Sequence, residues 1–287
     1  MFDVFMIAPK VHFRSSKNTN ILNIDLIKII KYNVNDIHYH QYYILRRTNM
    51  IFIYTLILVT LLSLVFTSSI KKQYYIYYSI SGVIAILTSI YEILRITSNM
   101  KLEGVILTLE KTSIRGLISI SFFILVMYAG ALNSKWTITK KMLSIRAELA
   151  IIGCIMMLPH GFIYFIRFLI LKLPKIMTEG KFPILYFSYI GIGIIGFIVM
   201  IPLFITSIKK VRRKMQGRSW KRLQRWAYLF YLLAYVHILL ILLNESKIDW
   251  LRLSTYTMIF VGYMILRIFK YKNKQKIGLR VICNTNN

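Results

Sequence analysis

Residues 202–240 read PLFITSIKKVRRKMQGRSWKRLQRWAYLFYLLAYVHILL, and this stretch decides the fold. Two apolar runs flank a connection, Lys209 to Arg225, that carries nine Lys and Arg residues. An apolar run of about 20 residues is long enough to cross a bilayer as a helix, and cytoplasmic connections between such helices concentrate basic residues. The stretch therefore predicts two membrane spans joined on the cytoplasmic side.

The rest of the chain extends this pattern. Its 287 residues are 57% hydrophobic with a mean hydropathy of +0.58, and a soluble globule does not tolerate that much exposed apolar surface. We predict an all-α, polytopic integral membrane bundle of about 6–7 transmembrane helices. The predicted spans are 50–70, 74–94, 114–132, 147–170, 183–208, 223–243 and 252–269.

The charge of the chain fits the same class. The net charge of +28 arises from 38 Lys and Arg residues against 10 acids, and the bases lie mainly between the apolar segments. There they attract anionic lipid headgroups and control topology, so nucleic acid is not inferred as a partner. The two cysteines, Cys154 and Cys283, have no CxxC or framework spacing and predict neither a disulfide scaffold nor a thiolate metal site.

The chain is predicted to divide into four regions. Residues 1–49 are polar and Asn-rich, and they are interpreted as a small appendage, a disordered tail or a segment upstream of the true start near Met50. Two additional spans occupy 50–112, a domain that holds the later spans occupies 113–270, and a basic tail occupies 271–287. The side chains of His12, His38 and His40 in the first region are predicted to be solvated. His38 and His40 form an HxH pair, but with no third ligand nearby the pair would be a weak metal site.

Orientation follows from the basic connections. Lys135–Arg146, Lys209–Arg225 and the tail Arg267–Arg280 fall on one face of a seven-span arrangement, so we predict a multi-pass cell-membrane protein with a cytoplasmic C-terminus. This arrangement places residues 1–49 outside, against the simple rule. Either that extension is not native or one weak segment does not cross.

Two intramembrane histidines are the main functional signal. At about 1.5 Å per helical residue, His160 lies about 21 Å past Arg146, and His237 lies about 18 to 24 Å past the 221–225 basic cluster. Ionisable residues at membrane depth are functional candidates by default, and two imidazoles at one depth suggest bis-imidazole ligation of one haem iron. A structural, hydrogen-bonded role is the alternative for either residue alone.

A glycine pattern and an arginine near His160 have simpler interpretations. Gly191, Gly193 and Gly196 spell GxGxxG inside a span, where close helix packing explains them better than a dinucleotide site. Arg167 lies two turns beyond His160, where it is a candidate partner of a haem propionate, with snorkelling to headgroups as the alternative.

Three stretches resemble the ferric-reductase-like transmembrane family, and within it most closely the haem-binding membrane subunit of the bacterial methionine-sulfoxide reductase system. They are PLFITSIKKVRRKMQGRSWKRLQRWAYLFYLLAYVHILL at 202–240, MLSIRAELAIIGCIMMLPHGFIYF at 142–165 and RGLISISFFILVMYAGAL at 115–132. The first two contain His237 and His160, at the positions where that family places its haem ligands.

The resemblance implies one haem b held by His160 and His237, in a subunit that passes electrons from a cytoplasmic or quinone donor to an acceptor or partner reductase at the outer face. Many relatives carry a further histidine where this chain has Gln224, and an amide is a poor ligand of haem iron. A flavin or quinone is the candidate for that inner region. The alternative function is a non-redox membrane transporter or an assembly and interaction protein.

Overall fold

The computed structural model describes residues 51–98, 104–180, 182–245 and 248–285, all within one compact unit, Thr48–Asn287. Over these residues the chain forms helices and connections and no strand, which confirms the predicted all-α fold. The predicted extension 1–49, with His12, His38 and His40, lies outside the described residues.

Helices occupy all seven predicted segments. They are α1 Ile51–Val65, α2 Thr67–Lys72, α3 Tyr74–Ser98, α4 Gly104–Ile114, α5 Leu117–Ala131, α6 Thr137–Ser144, α7 Arg146–Arg167, α8 Leu173–Glu179, α9 Ile184–Ser207, α10 Lys209–Lys214, α11 Gly217–Gln224, α12 Trp226–Leu243 and α13 Trp250–Thr285. A π-helical turn, Phe168–Lys172, joins α7 to α8.

Fewer segments qualify as spans than the 6–7 predicted. By length and composition, four stretches of the described residues can cross a membrane: Tyr74–Arg95, Arg146–Thr178, Ile184–Ser207 and Gly217–Leu243. The pair Ile106–Ile114 and Leu117–Ala131, bent by 59°, makes a fifth. The first predicted span is shortened because its helix breaks after Val65, and Arg252 and Arg267 bracket the apolar part of the last one.

Helix α5 lies in the middle of the bundle. It is apolar on all sides, which is the pattern of a helix covered all round, and ten of its fifteen residues are buried. Phe123 and Met127 on α5 pack with Cys154 of α7, Met200 of α9 and Phe230 of α12. This packing holds α7, α9 and α12 side by side and so sets the positions of the two predicted ligands.

The bases gather at one end of the bundle, called here the basic end. Arg146 donates from Nε to the carbonyl of Val126 at 3.1 Å, and Arg267 and Lys270 donate to the carbonyl of Gly130 at 2.9 and 3.0 Å. The Gly130 carbonyl is in the last turn of α5, where helical donors are missing, and Val126 lies one turn earlier. Lys209 pairs at 3.1 Å with Glu148, two residues after Arg146. Bases from all three predicted cytoplasmic regions thus share one end.

Candidate functional site

His160 is held at the bend between α4 and α5. Its Nδ1 lies 2.8 Å from the carbonyl oxygen of Ile114, the last residue of α4. That carbonyl is available because the chain leaves the helix at Gly116, which has a φ of +73°, a conformation that glycine adopts without strain. A Cβ at Gly116 would lie 3.4 Å from His160 Cγ and Nδ1, so the bend packs directly on the ring.

His237 is held in a similar way by α9. Its Nδ1 lies 2.8 Å from the carbonyl oxygen of Tyr189. One turn later, Gly193 allows the ring to approach the backbone, because a Cβ there would meet His237 Cε1 at 2.8 Å. The helix-packing interpretation of the GxGxxG pattern is therefore confirmed at Gly193. A Cβ at Gly196 would make an ordinary contact with Leu233, and one at Gly191 would meet nothing within 4 Å.

The structure brings the two histidines together. Their ring centroids are 6.3 Å apart and their planes are 89° apart. A nitrogen ligand lies about 2 Å from its metal ion and the ring centre lies about 1 Å further back, so two opposed imidazole ligands place their centroids about 6 Å apart. The observed separation matches that value.

The hydrogen bonds fix which nitrogen of each neutral ring is free. A carbonyl oxygen only accepts, so Nδ1 of each histidine carries the proton and donates it to Ile114 or Tyr189. The lone pair of each ring is then on Nε2, the nitrogen that binds metal when Nδ1–H is anchored to a carbonyl. Among the described residues no group of three or more His, Cys, Asp and Glu side chains is placed to hold a metal ion. Two imidazoles alone suit a cofactor that brings its own equatorial ligands.

The apolar residues at helical spacing from the two histidines fall into two groups. Met156 and Ile163 are buried in the bundle, while the others are partly buried: Met157, Leu233, Ala234, Leu240 and Ile241. The ring centroid of Tyr164 lies 4.9 Å from that of His160. Both imidazoles are themselves partly exposed, so neither lies in a closed core.

Arg167 lies at the far end of the bundle, about 31 Å along α7 from Arg146. There it forms an ion pair with Glu92 of α3, and its guanidinium lies 5.9 Å from the Tyr164 ring centre. Glu92 also binds Arg95 at 2.7 Å. The predicted contact of Arg167 with a haem propionate stays a prediction, and it would compete with this ion pair.

Sequence reasoning missed the acids around Arg167. Glu92 is fully buried, and Glu110 of α4, which is 7% exposed, places its carboxyl group against that of Glu92. A usable signal was present, because each is an acid inside a largely apolar segment, and such residues mark functional sites by default.

A cavity of about 480 Å³ opens at the basic end. Its wall includes Gln224, the residue at the position where the family resemblance led us to expect a histidine, and Trp220. The amide nitrogen of Gln224 donates to Thr206 Oγ1 at 3.2 Å, and the indole N–H of Trp220 donates to the Thr206 carbonyl at 3.1 Å. The volume is within the range of small-molecule sites. The charged residues in the wall are Lys71, Arg146, Glu148, Lys209 and Arg212.

Comparison with known proteins agrees with this arrangement. Residues 115–235 match the sequence model of the family described as ferric reductase like transmembrane component. The match confirms the resemblance to the ferric-reductase-like transmembrane family that was inferred from the sequence. It lies within the predicted 113–270 region, contains His160 and ends two residues before His237.

A relative from Treponema pallidum (strain Nichols), described as an uncharacterized protein, is 32% identical over 170 residues. The alignment covers 58% of this chain and 46% of the relative, so the chain spans about half of that protein's length. The family match indicates a membrane electron-transfer function for the helical bundle.

Proposed function

We propose that this chain is a membrane haem b electron-transfer subunit in which His160 and His237 would hold one haem. When bound, haem b supplies an iron that accepts and releases one electron. The family match supports the redox class, and the separation of the two rings supports the ligand pair. The chain would act as the electron-transfer component of an oxidoreductase system.

The observation that carries the proposal is the matched anchoring of the two rings. Each imidazole donates Nδ1–H to a backbone carbonyl, at 2.8 Å in both cases, and keeps Nε2 as a lone-pair donor. Metal-bound histidines nearly always have such a partner, which fixes the ring orientation and raises the basicity of the ligating nitrogen. A histidine with only a structural role has no need of a second, equally anchored imidazole at ligand distance.

The direction of electron flow is proposed from the two ends of the bundle. The basic end is assigned to the cytoplasm, because basic residues concentrate in cytoplasmic connections. Electrons enter there from a cytoplasmic or quinone donor and leave at the far end to an acceptor or partner reductase. The closer likeness to the membrane subunit of the methionine-sulfoxide reductase system is part of this proposal.

The cavity at the basic end is the proposed site of the inner carrier, a flavin or a quinone. Gln224 stands in its wall in place of the histidine that many relatives have, which argues against a second bis-imidazole haem there. Trp220 offers an aromatic face, and Lys209 and Arg212 offer positive charge to an anionic ring system or phosphate. Flavin fluorescence and quinone extraction from the purified chain distinguish these two carriers.

Absorption spectroscopy of the detergent-purified full chain tests the ligand assignment. The wild type is expected to show a low-spin b-type spectrum, and His160→Ala and His237→Ala are each expected to abolish its bis-imidazole form. Leu158→Ala, at a partly exposed position on the same helix, is the control and is expected to retain the spectrum. Unchanged spectra in both histidine variants would refute the assignment, and a stable wild type without haem would favour the transporter or assembly function.

A further inference from the structure

A pair of buried carboxyl groups lies between α3 and α4 at the far end of the bundle. Glu92 has no exposed surface and Glu110 is 7% exposed. Arg95 and Arg167 both pair with Glu92 and are themselves about one third exposed, so they connect the pair to the surface. None of these acids takes part in holding His160 or His237.

The pair holds a proton that can be exchanged. The carboxyl groups of Glu92 and Glu110 lie against each other, and two carboxylates at short range in a buried place cannot both ionise without a large cost, so the pair is suited to hold a proton. Glu110 Oε2 is buried and has no hydrogen-bond partner among the residues that the structure describes. Buried polar atoms are normally satisfied, so this oxygen marks a position for water or for a second proton.

The surroundings of the pair carry charge from each helix packed against it. Besides the two glutamates, the groups around it are Tyr91 and Arg95 on α3, Lys111 on α4, and Tyr164 and Arg167 on α7. The three bases outnumber the two acids, so the cluster has a net positive charge when one of the carboxyl groups carries a proton. Positive surroundings favour an ionised carboxylate, and a negative charge that arrives nearby favours its protonation.

Helix α4 connects this pair to His160. Glu110 is one turn before Ile114, about 6 Å along the axis, and the Ile114 carbonyl accepts the His160 Nδ1–H bond. Between them on the chain is Ser113, which is 2% exposed and whose hydroxyl has no partner within the described part of the chain. Two unsatisfied groups one turn apart thus lead from the acid pair toward the ring.

We propose that Glu92 and Glu110 form a proton-uptake site that is coupled to the redox state of the haem. This inference rests on the proposed function. The ionised carboxylate of the pair would take up one proton from water at the far end when a bound haem gained one electron from the inner carrier, and it would release that proton when the acceptor took the electron. The added negative charge at the iron favours the protonated form of a nearby carboxyl, and protonation in turn favours the reduced haem.

The test is a spectroelectrochemical titration of the haem midpoint potential of the purified full chain at a series of pH values. In the wild type the potential is expected to fall as pH rises, by up to about 59 mV for each tenfold change in proton concentration, the limit for one electron and one proton. Glu110→Gln keeps the size of the side chain and removes its titration, and it is expected to flatten the slope. Glu110→Asp is expected to retain it.

The matched control is Glu245→Gln, which removes an acid paired with Arg252 at 2.8 Å and away from α4. It is expected to keep the wild-type slope. Two results would overturn this inference and leave the proposed function standing. One is a wild type that has an intact bis-imidazole spectrum but a midpoint potential that does not depend on pH. The other is a Glu110→Gln variant whose potential keeps the full wild-type slope. Absence of haem from the wild type would overturn both. If Glu110→Gln does not retain haem, the pH dependence of the wild-type midpoint potential still tests the proton coupling.

Discussion

The contact between Gly193 and His237 allows a sharp test, since alanine at 193 adds one methyl group against the ring. The added Cβ would lie 2.8 Å from Cε1 and 3.0 Å from Nδ1 of His237, whereas ordinary contact begins at 3.4 Å. The ring must therefore recede from α9 by about half an ångström. Because Tyr189 is also on α9, the same movement lengthens the 2.8 Å bond from Nδ1 to its carbonyl beyond the normal hydrogen-bond range.

The magnitude combines two effects. Adding a methyl group to a packed interior costs about 1–3 kcal/mol, and losing a hydrogen bond costs about 0.5–1.5 kcal/mol. Disturbing the partner of a metal-bound histidine typically lowers metal affinity by about 10- to 100-fold. We expect haem retention in Gly193→Ala to fall by roughly that factor, with a shifted spectrum of the remaining haem.

Gly191→Ala is the matched control, since it lies on the same helix and its Cβ would meet nothing within 4 Å. Both variants gain about 1 kcal/mol of helix propensity, so their difference isolates the contact with His237. The assay is the rate and extent of haem transfer from each purified variant to apomyoglobin. Equal retention in the two variants would refute the proposed anchoring of His237, whatever the wild-type spectrum.

Three further predictions follow from the same geometry. Gly116→Ala and Gly180→Ala both place alanine at positive φ, which costs about 1–2 kcal/mol, so both are expected to lower the thermal midpoint of unfolding. Only Gly116 packs on His160, so only Gly116→Ala is expected to lose haem in the transfer assay. A cysteine at Ser219 is expected to resist labelling from outside intact cells, and efficient labelling would reverse the orientation. Pyridine haemochrome assay is expected to give about one haem per chain, and Gln224→His is expected to retain that haem, any additional one locating the vacant inner site.

The sequence was sufficient for the class of fold and for the expectation that His160 and His237 lie at one depth, and their ring centroids are 6.3 Å apart. Apolar runs of span length predict helices wherever they occur, and the seven segments are all helical. The depths of His160 and His237 could be counted from basic residues because an α-helix has a fixed rise. What the count could not supply was which helices are neighbours, and that follows from the packing around α5.

The partners of the two rings were beyond sequence reasoning because they are backbone atoms. The carbonyls of Ile114 and Tyr189 have no residue signature, and their availability depends on a 59° bend and on a close approach of two helices. Gly116 carried a weak signal of the bend, because a glycine between two apolar runs marks a possible break. The ion pair of Glu92 with Arg167 was hidden for a different reason, since it joins helices α3 and α7, which are far apart in the chain.

The positions along α7 also give the reason for proposing a second carrier, at the basic end, beside the proposed haem. His160 is about 21 Å from Arg146 along the helix, too far for a donor docked at the basic end to lie beside the ring. The cavity there is lined by α7 residues from Arg146 through Ala150 to Cys154, so it reaches inward for about 12 Å. Cys154 is six residues, or about 9 Å, before His160. A flavin or quinone that filled this cavity would shorten the distance that an electron must cross to His160 to less than half of about 21 Å. Loss of that carrier is therefore expected to slow reduction of the haem and to leave the bis-imidazole spectrum unchanged.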